Sequence, residues 1–290
     1  MSELEEATTP PEASSAAPDD ANDLRGFHFK QLLGKPLTWI LLAIFVVAAG
    51  VAGAALVGPA IGAAAAGGIF VLGLLGVFAI ADSRAEEAFF ATYAAQRGMA
   101  LSGKGPLPTA TPLLRKGDER YAERALAGPL ADGADGVLAL YTYETETTDS
   151  KGNRQTNYYR YTLALVQVPE CAGFVPELYC QRKSGLRALE KFEDVFRRSK
   201  ERVKLESEAL DERYEIFAGK DQDASRLRQL LSPTFIVWLT DSAPEKFAFE
   251  LVNGTLCCYV NGHKKKAAEL DTIRAASAAV ATRLREESLE

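Results

Sequence analysis

The stretch "LTWILLAIFVVAAGVAGAALVGPAIGAAAAGGIFVLGLLGVFAIA", residues 37–81, decides how the rest of the chain is read. It contains no Asp, Glu, Lys, Arg or His. A helix needs about 20 apolar residues to cross a hydrocarbon core about 30 Å thick, so the run is long enough for two crossings. Val57-Gly58-Pro59 interrupts it, because proline lacks an amide donor and glycine favours a turn. The run therefore reads as one membrane helix over 37–57 and a second over 60–81. A core hairpin of a soluble protein could share this composition, but so long an uncharged run exceeds ordinary core helices. A signal peptide fits worse, since 36 residues precede the run and a second apolar span follows at once.

Basic residues orient the hairpin. Arg25, Lys30 and Lys35 precede the first span, Arg84 and Arg97 follow the second, and the connecting turn has none. The positive-inside bias predicts a multi-pass protein of the cell membrane with both termini cytoplasmic. Trp39 lies near one end of the first span, where an indole suits the interface. Small residues recur four apart at Ala49/Gly53, Ala63/Gly67 and Ala64/Gly68. Such spacing lets backbones approach closely in lipid. It serves either packing of the two spans on each other or a homodimer, and both readings stay open. With no ionisable group in either span, a proton relay or charged transport pathway has no candidate residue.

The polar remainder divides by composition. Residues 1–36 form an acidic tail, expected to be disordered, and a basic juxtamembrane segment; the first 23 residues carry seven acidic and no basic side chains. Residues 82–127 read as a juxtamembrane helix and a linker. Ala85, Phe89 and Tyr93 repeat at helical spacing, Gly98 can stop the helix, and "GKGPLPTATPLLRKGDER" (103–120) is rich in Pro and Gly. Residues 128–290 read as a cytoplasmic α+β domain. A long hairpin is expected over 138–168 around "TDSKGN", with tyrosines that either pack or form a binding surface. A helix follows over 183–202, with Leu186, Leu189, Phe192 and Phe196 on one face. Short strands are expected at 203–205 and 214–217, a short helix at 225–231, and a helix start at Ser232-Pro233. Leu270, Ile273, Ser277, Val280 and Leu284 mark an amphipathic C-terminal helix. The fold class is α+β: a two-helix transmembrane hairpin, then a mixed domain of antiparallel hairpins.

One stretch invites a chemical reading. "ELVNGTLCCYVNGH" (250–263) holds two of the four cysteines and one of the two histidines. Asn253-Gly254 is a strong two-residue hairpin signal. Successive strand side chains point to opposite faces, so Cys257 and Cys258 diverge and do not readily share an ion. Cys258 joins Leu256 and Val260 on the core face, leaving Cys257 on a face where substitution should matter little. Zinc asks for paired ligand spacing, whereas Cys171 and Cys180 are nine apart. A site would have to be assembled from Cys171, Cys180, one strand cysteine and His263. Metalloprotease, nucleophile-elbow and phosphate-loop motifs are missing from the sequence. With His28 and His263 the only histidines, a nucleophile–base pair has few options.

No catalytic, cofactor-binding or metal-binding residue is therefore assigned, no cofactor is expected, and the chain is read as a non-enzyme. With 33 basic against 39 acidic residues, nucleic acid is not an expected partner. The expected partners are the lipid bilayer and an unidentified protein, with the domain acting as a partner-binding or envelope-organising module. Two alternatives stand beside this. One is an enzyme on a membrane-associated substrate, using Cys171, Cys180 or His263; the other is an accessory subunit of a transporter.

The segment "FEDVFRRSKERVKLESEALDERYEIFAGKDQDASRLRQLLSPTFIVWLTD" (192–241), followed by "FAFELVNGTLCCYV" (247–260), resembles a family of bacterial membrane proteins of unknown function. The similar elements are "FED", the strand at Tyr214 to Phe217, "LLSP" at Leu230 to Pro233, and the final hairpin. The resemblance implies two N-terminal transmembrane helices and a cytoplasmic α+β domain. It brings no catalytic residues.

Overall fold

The computed structural model describes residues 20–131, 133–149, 151–183 and 200–289, which divide into compact units over Met1–Tyr93 and Ala94–Glu290. In the first unit, α1 (Ala21–Leu33) begins where the Asp20 carboxylate accepts from the Asn22 amide at 2.9 Å. Helices α2 (Pro36–Leu56) and α3 (Pro59–Gln96) each start on a proline, whose missing amide costs nothing at a first helical position. Between them Gly58 takes a φ of 131°, a conformation that side-chain-bearing residues avoid. Both helices are long and apolar enough to cross a membrane.

Helices α2 and α3 pack together through small residues. Gly50 and Gly53 of α2 face Gly62, Ala65 and Ala66 of α3, and Leu42 lies against Gly73. Of the four-residue pairs in the sequence, only Ala49/Gly53 contributes a glycine to this contact; Gly67 and Gly68 face open space. Away from the contact, Leu37, Ile40, Ile44, Phe45, Val51, Leu72 and Leu75 are exposed. Helix α1 occupies part of the segment read as tail and juxtamembrane chain, and it docks on α3. Arg25 Nε donates to Asp82 Oδ1 at 2.5 Å, and Phe29 meets Phe78 edge-on at 5.8 Å. The expected tail up to residue 19 lies outside the described residues.

Helix α3 runs on past the apolar stretch and stops as expected. Gly98 adopts φ 65° and the Met99 amide bonds back to Ala94 O at 2.9 Å.

The second unit is built on one antiparallel sheet, with nine strands among the described residues in the order β1-β2-β3-β4-β9-β8-β5-β7-β6. These are β1 (Ala100–Ser102), β2 (Glu119–Ala131), β3 (Ala134–Thr148), β4 (Arg154–Gln167), β5 (Glu177–Arg182), β6 (Lys200–Arg202), β7 (Tyr214–Gly219), β8 (Ala248–Val252) and β9 (Thr255–Asn261). Short helices α4 (Glu208–Arg213), α5 (Ala224–Leu230) and α6 (Pro233–Val237) join them, and α7 (Ala267–Leu289) closes the chain. Leu270, Ile273, Ser277, Val280 and Leu284 of α7 are buried, as their spacing predicts.

Two readings change. The segment 82–127, read as helix and linker, contributes β1 and most of β2 to the sheet. Strand β2 escapes a two-residue pattern because it carries Arg120, Glu123 and Arg124 and a bulge between Ala122 and Arg124. The helix expected over 183–202 falls largely outside the described residues, but its last three residues form β6, paired to β7. Pairing continues through Val203, whose amide donates to Ile216 O at 2.8 Å. The helix start at Ser232-Pro233 is as expected, with Ser232 at the N-cap of α6 and Pro233 first in the helix, while the Ser232 hydroxyl accepts from Arg283 Nη2 at 3.1 Å rather than from a helix amide.

Candidate functional site

Asn253 (φ 48°) and Gly254 (φ 78°) both take left-handed backbone, which gives the mirror-image turn that matches strand twist. The β8–β9 hairpin therefore forms in the predicted register, with Glu250 opposite Cys257 and Phe249 opposite Cys258. The two cysteines do diverge, but the expectation for Cys257 fails. It has no exposed surface and sits in an apolar cluster with Tyr141, Tyr143, Leu163, Leu165, Leu113 and Leu114. The last two come from the Pro- and Gly-rich stretch before β2. That stretch is irregular, as its composition suggests, yet it packs on the sheet. Both sheet faces are consequently buried at β9, and neither cysteine has a solvent side.

The tyrosines of the long hairpin fill this covered face. Tyr143 stacks on Tyr159 at 4.8 Å and on Tyr161 at 5.9 Å, and Tyr161 meets Tyr259 edge-on at 5.8 Å. Tyr141 and Tyr143 are buried, while Tyr158, on the opposite face, is exposed and lies near the Arg160 guanidinium. The aromatic hairpin is mainly core.

Glu250 is the residue that sequence reasoning missed. It is 1% exposed, and its Oε2 accepts from the Leu113 amide at 2.9 Å, fastening the turn Leu113–Arg115 to the sheet. Tyr141 adds a second tie, its hydroxyl lying 3.3 Å from Leu113 O. Burial pushes the Glu250 carboxyl above the usual carboxylate range, while the Leu113 amide and the Lys116 ammonium pull it back. Lys116 is itself buried, and burial lowers its amine while Glu250 raises it. Each group disfavours its own charge and partly stabilises the other's. Thr111, two residues before the turn, is fully buried, and its hydroxyl also helps pull the Glu250 carboxyl down.

His263 occupies the turn from β9 to α7. Its Nε2 lies 3.1 Å from Tyr141 O and 3.3 Å from Thr142 Oγ1, and its Nδ1 is 3.8 Å from Glu123 Oε2. A carbonyl can only accept, so Nε2 carries the proton and donates to Tyr141. Thr142 in turn donates to Glu123 Oε1 at 3.0 Å. Glu123 is the extra residue at the β2 bulge, and such bulges re-aim side chains. The Glu, His and Thr resemble a nucleophile–base–orienter set, but Thr142 has no exposed surface for a substrate. Burial lowers the His263 imidazole, so it is neutral at pH 7, against the opposing pull of Tyr141 O and Glu123.

The four thiols are likewise interior. Burial raises all of them, Cys258 to about 12, so each is protonated and a poor nucleophile. Cys171 Sγ lies 3.9 Å from Ser288 Oγ on α7. Cys171, Cys180 and His263 are not brought together: among the described residues no group of three or more His, Cys, Asp or Glu is placed to hold a metal.

A groove of about 440 Å³ between α6 and α7 is floored by Phe235 and Trp238 and edged by Arg283 and Glu286. Its cation is already committed, to Glu287 at 2.6 Å, Gln229 O at 3.0 Å and Ser232. No protein-family model, curated protein or solved structure matches the chain. What stands of the resemblance is therefore the anatomy, two long apolar helices followed by an α+β domain on an antiparallel sheet.

Proposed function

We propose that α2 and α3 anchor this chain in the cell membrane with both termini cytoplasmic, and that the α+β domain is a non-catalytic module that binds a protein partner or helps organise the envelope. The observation that carries the anchoring is the apolar outer surface of α2 and α3. Large side chains such as Phe45, Val51 and Leu72 are more than half exposed, an arrangement that water penalises and lipid does not. Orientation rests on the basic residues that flank only the two ends of the hairpin. Binding is favoured over chemistry because the unusual side chains are engaged in holding the fold. Glu250 ties down a loop, His263 braces the β9–α7 turn, and the thiols are buried and protonated. Self-association is part of the proposal: Gly67 and Gly68 leave a small-residue face of α3 open to a second copy.

A reporter fused after Glu290 tests the topology and should behave as cytoplasmic; activity of a periplasm-dependent reporter there would refute it. Chemical cross-linking in intact membranes followed by purification in detergent should return a stoichiometric protein partner or a dimer. Recovery of the monomer alone would count against the binding module.

A further inference from the structure

We infer that the cytoplasmic end of the membrane hairpin is a collar for anionic phospholipid headgroups, formed by Lys30, Lys35 and Arg84. The inference rests on the membrane reading and adds a lipid class to it. Three contacts set the relative heights of the helices: Leu42 against Gly73, Phe29 against Phe78, and Arg25 paired with Asp82. These contacts bring the basic residues of α1 and of the start of α2 to the same end of α3. Counting from the Leu42–Gly73 level at about 1.5 Å per residue, Lys35 lies about 10 Å up α2 and Arg84 about 16 Å up α3, while the Phe29–Phe78 contact puts the neighbouring Lys30 about 8 Å up. These heights fit within the headgroup layer, which adds several ångströms to each side of the hydrocarbon core.

All three side chains belong to exposed residues. Asp82 has its charge taken by Arg25, and Asp23, two residues before Arg25, leaves Lys30, Lys35 and Arg84 in excess, so the collar remains positive. Glu86 and Glu87 follow Arg84 by two and three residues, about 3–5 Å farther from the apolar surface. Lys30, next to the Phe29 that meets Phe78, is the deepest cation, and its stem can run along apolar surface while the ammonium reaches outward.

What commits the collar to a lipid is the surface immediately below it. Leu37, Leu41, Phe78 and Ile80 are exposed there, and Trp39, also exposed, donates its indole N–H to Leu33 O at 2.7 Å. One anionic phospholipid can lay its acyl chains on that surface and its phosphate against the cations, which a free phosphate cannot do.

The test uses the full chain in phosphatidylcholine nanodiscs containing a minority of phosphatidylglycerol, with spin-labelled versions of each lipid as probes. A basic residue near an anionic surface is worth about fivefold in association. Labelled phosphatidylglycerol should therefore be preferred about fivefold or more, and the preference should shrink at high salt. It should be lost in the triple variant Lys30→Gln/Lys35→Gln/Arg84→Gln and kept in Lys30→Arg/Lys35→Arg/Arg84→Lys. Equal association of the two lipids with the wild type, or an undiminished preference in the Gln variant, overturns the collar. Both triple variants should resist alkaline extraction from membranes as the wild type does. Release of the wild type itself would overturn the membrane reading and the collar with it.

Discussion

Replacing Gly62 tests the crossing of the two apolar helices α2 and α3. A Cβ built on Gly62 falls 2.6 Å from Gly50 O, 2.7 Å from the Ala54 amide nitrogen and 2.8 Å from Ala54 Cβ. Two of these are backbone atoms of α2, which cannot swing aside as a long side chain can. Non-bonded carbon contacts are comfortable at about 3.5–4.0 Å, so α2 and α3 must part by about 1 Å or tilt. Overpacking of this kind costs about 1–3 kcal/mol, against which alanine recovers about 1 kcal/mol of helix propensity. Gly62→Ala should therefore destabilise by about 1 kcal/mol. Gly62→Val, with two more carbons in the same contact and a poorer helix former, should cost about 3 kcal/mol. Gly68 has nothing within 4 Å of its built Cβ, so Gly68→Ala should be neutral or slightly stabilising. The chain has two tryptophans, and in a Trp238→Phe background Trp39 alone reports on the hairpin. Unfolding by SDS in mixed micelles, followed by Trp39 fluorescence, gives the order of the variants. If Gly62→Val unfolds at the same SDS fraction as Gly68→Ala, the crossing is not at Gly62.

Two further predictions concern the covered sheet face. The Glu250 carboxyl is raised in the folded state, so its stabilising contribution is complete below the unfolded value near 4.5 and is lost as pH rises through the folded value. Glu250→Gln keeps an acceptor for the Leu113 amide without the charge, so its stability relative to wild type should increase from pH 4.5 upward. A difference in urea midpoint that is flat with pH would show that Glu250 titrates normally. Cys257→Asp should be as damaging as Cys258→Asp, several kcal/mol each, because both positions bury an unpaired carboxylate. Thermal melts showing that Cys257→Asp is tolerated would mean that the 103–118 stretch does not cover this face in solution.

Much of the anatomy was legible because it depends on local chemistry. An uncharged run broken by Gly58-Pro59 can hardly be anything other than two apolar helices. Asn253-Gly254 needs two left-handed residues in succession, and that pair tolerates them, so the final hairpin could be read without knowing its surroundings. The C-terminal helix carries its own periodicity. Strand β2 was lost for the opposite reason: its bulge shifts the inward face midway, and its arginines and Glu123 make the pattern look solvated. The double burial of the central strands did have a signal. "GVLALY", "TLALV" and "TLCCYV" are nearly continuous apolar runs, and such runs mark strands covered on both sides.

Glu250 shows where strand alternation stops being informative. In "AFELV" a charged residue between two apolar ones reads as the outward face of a half-buried strand, and by pattern that is correct, since Glu250 and Cys257 do point away from α7. What the pattern omits is that this outward face is roofed by a loop from more than a hundred residues earlier. Beyond the turn Leu113–Arg115 and a single bridge from Gly105 to Ala122 the roof has little regular structure, so most of its backbone amides must find acceptors elsewhere. Sheet carbonyls are already spent on neighbouring strands, and the apolar and aromatic side chains around Cys257 offer little. A carboxylate on the sheet can accept from the Leu113 amide, and the lysine three residues later offsets part of its charge. Glu250 is thus an acceptor supplied by the sheet to a loop that has too few. A leucine there would suit the strand's burial better while leaving the Leu113 amide unsatisfied, and that is a physical reason for a buried acid at this position.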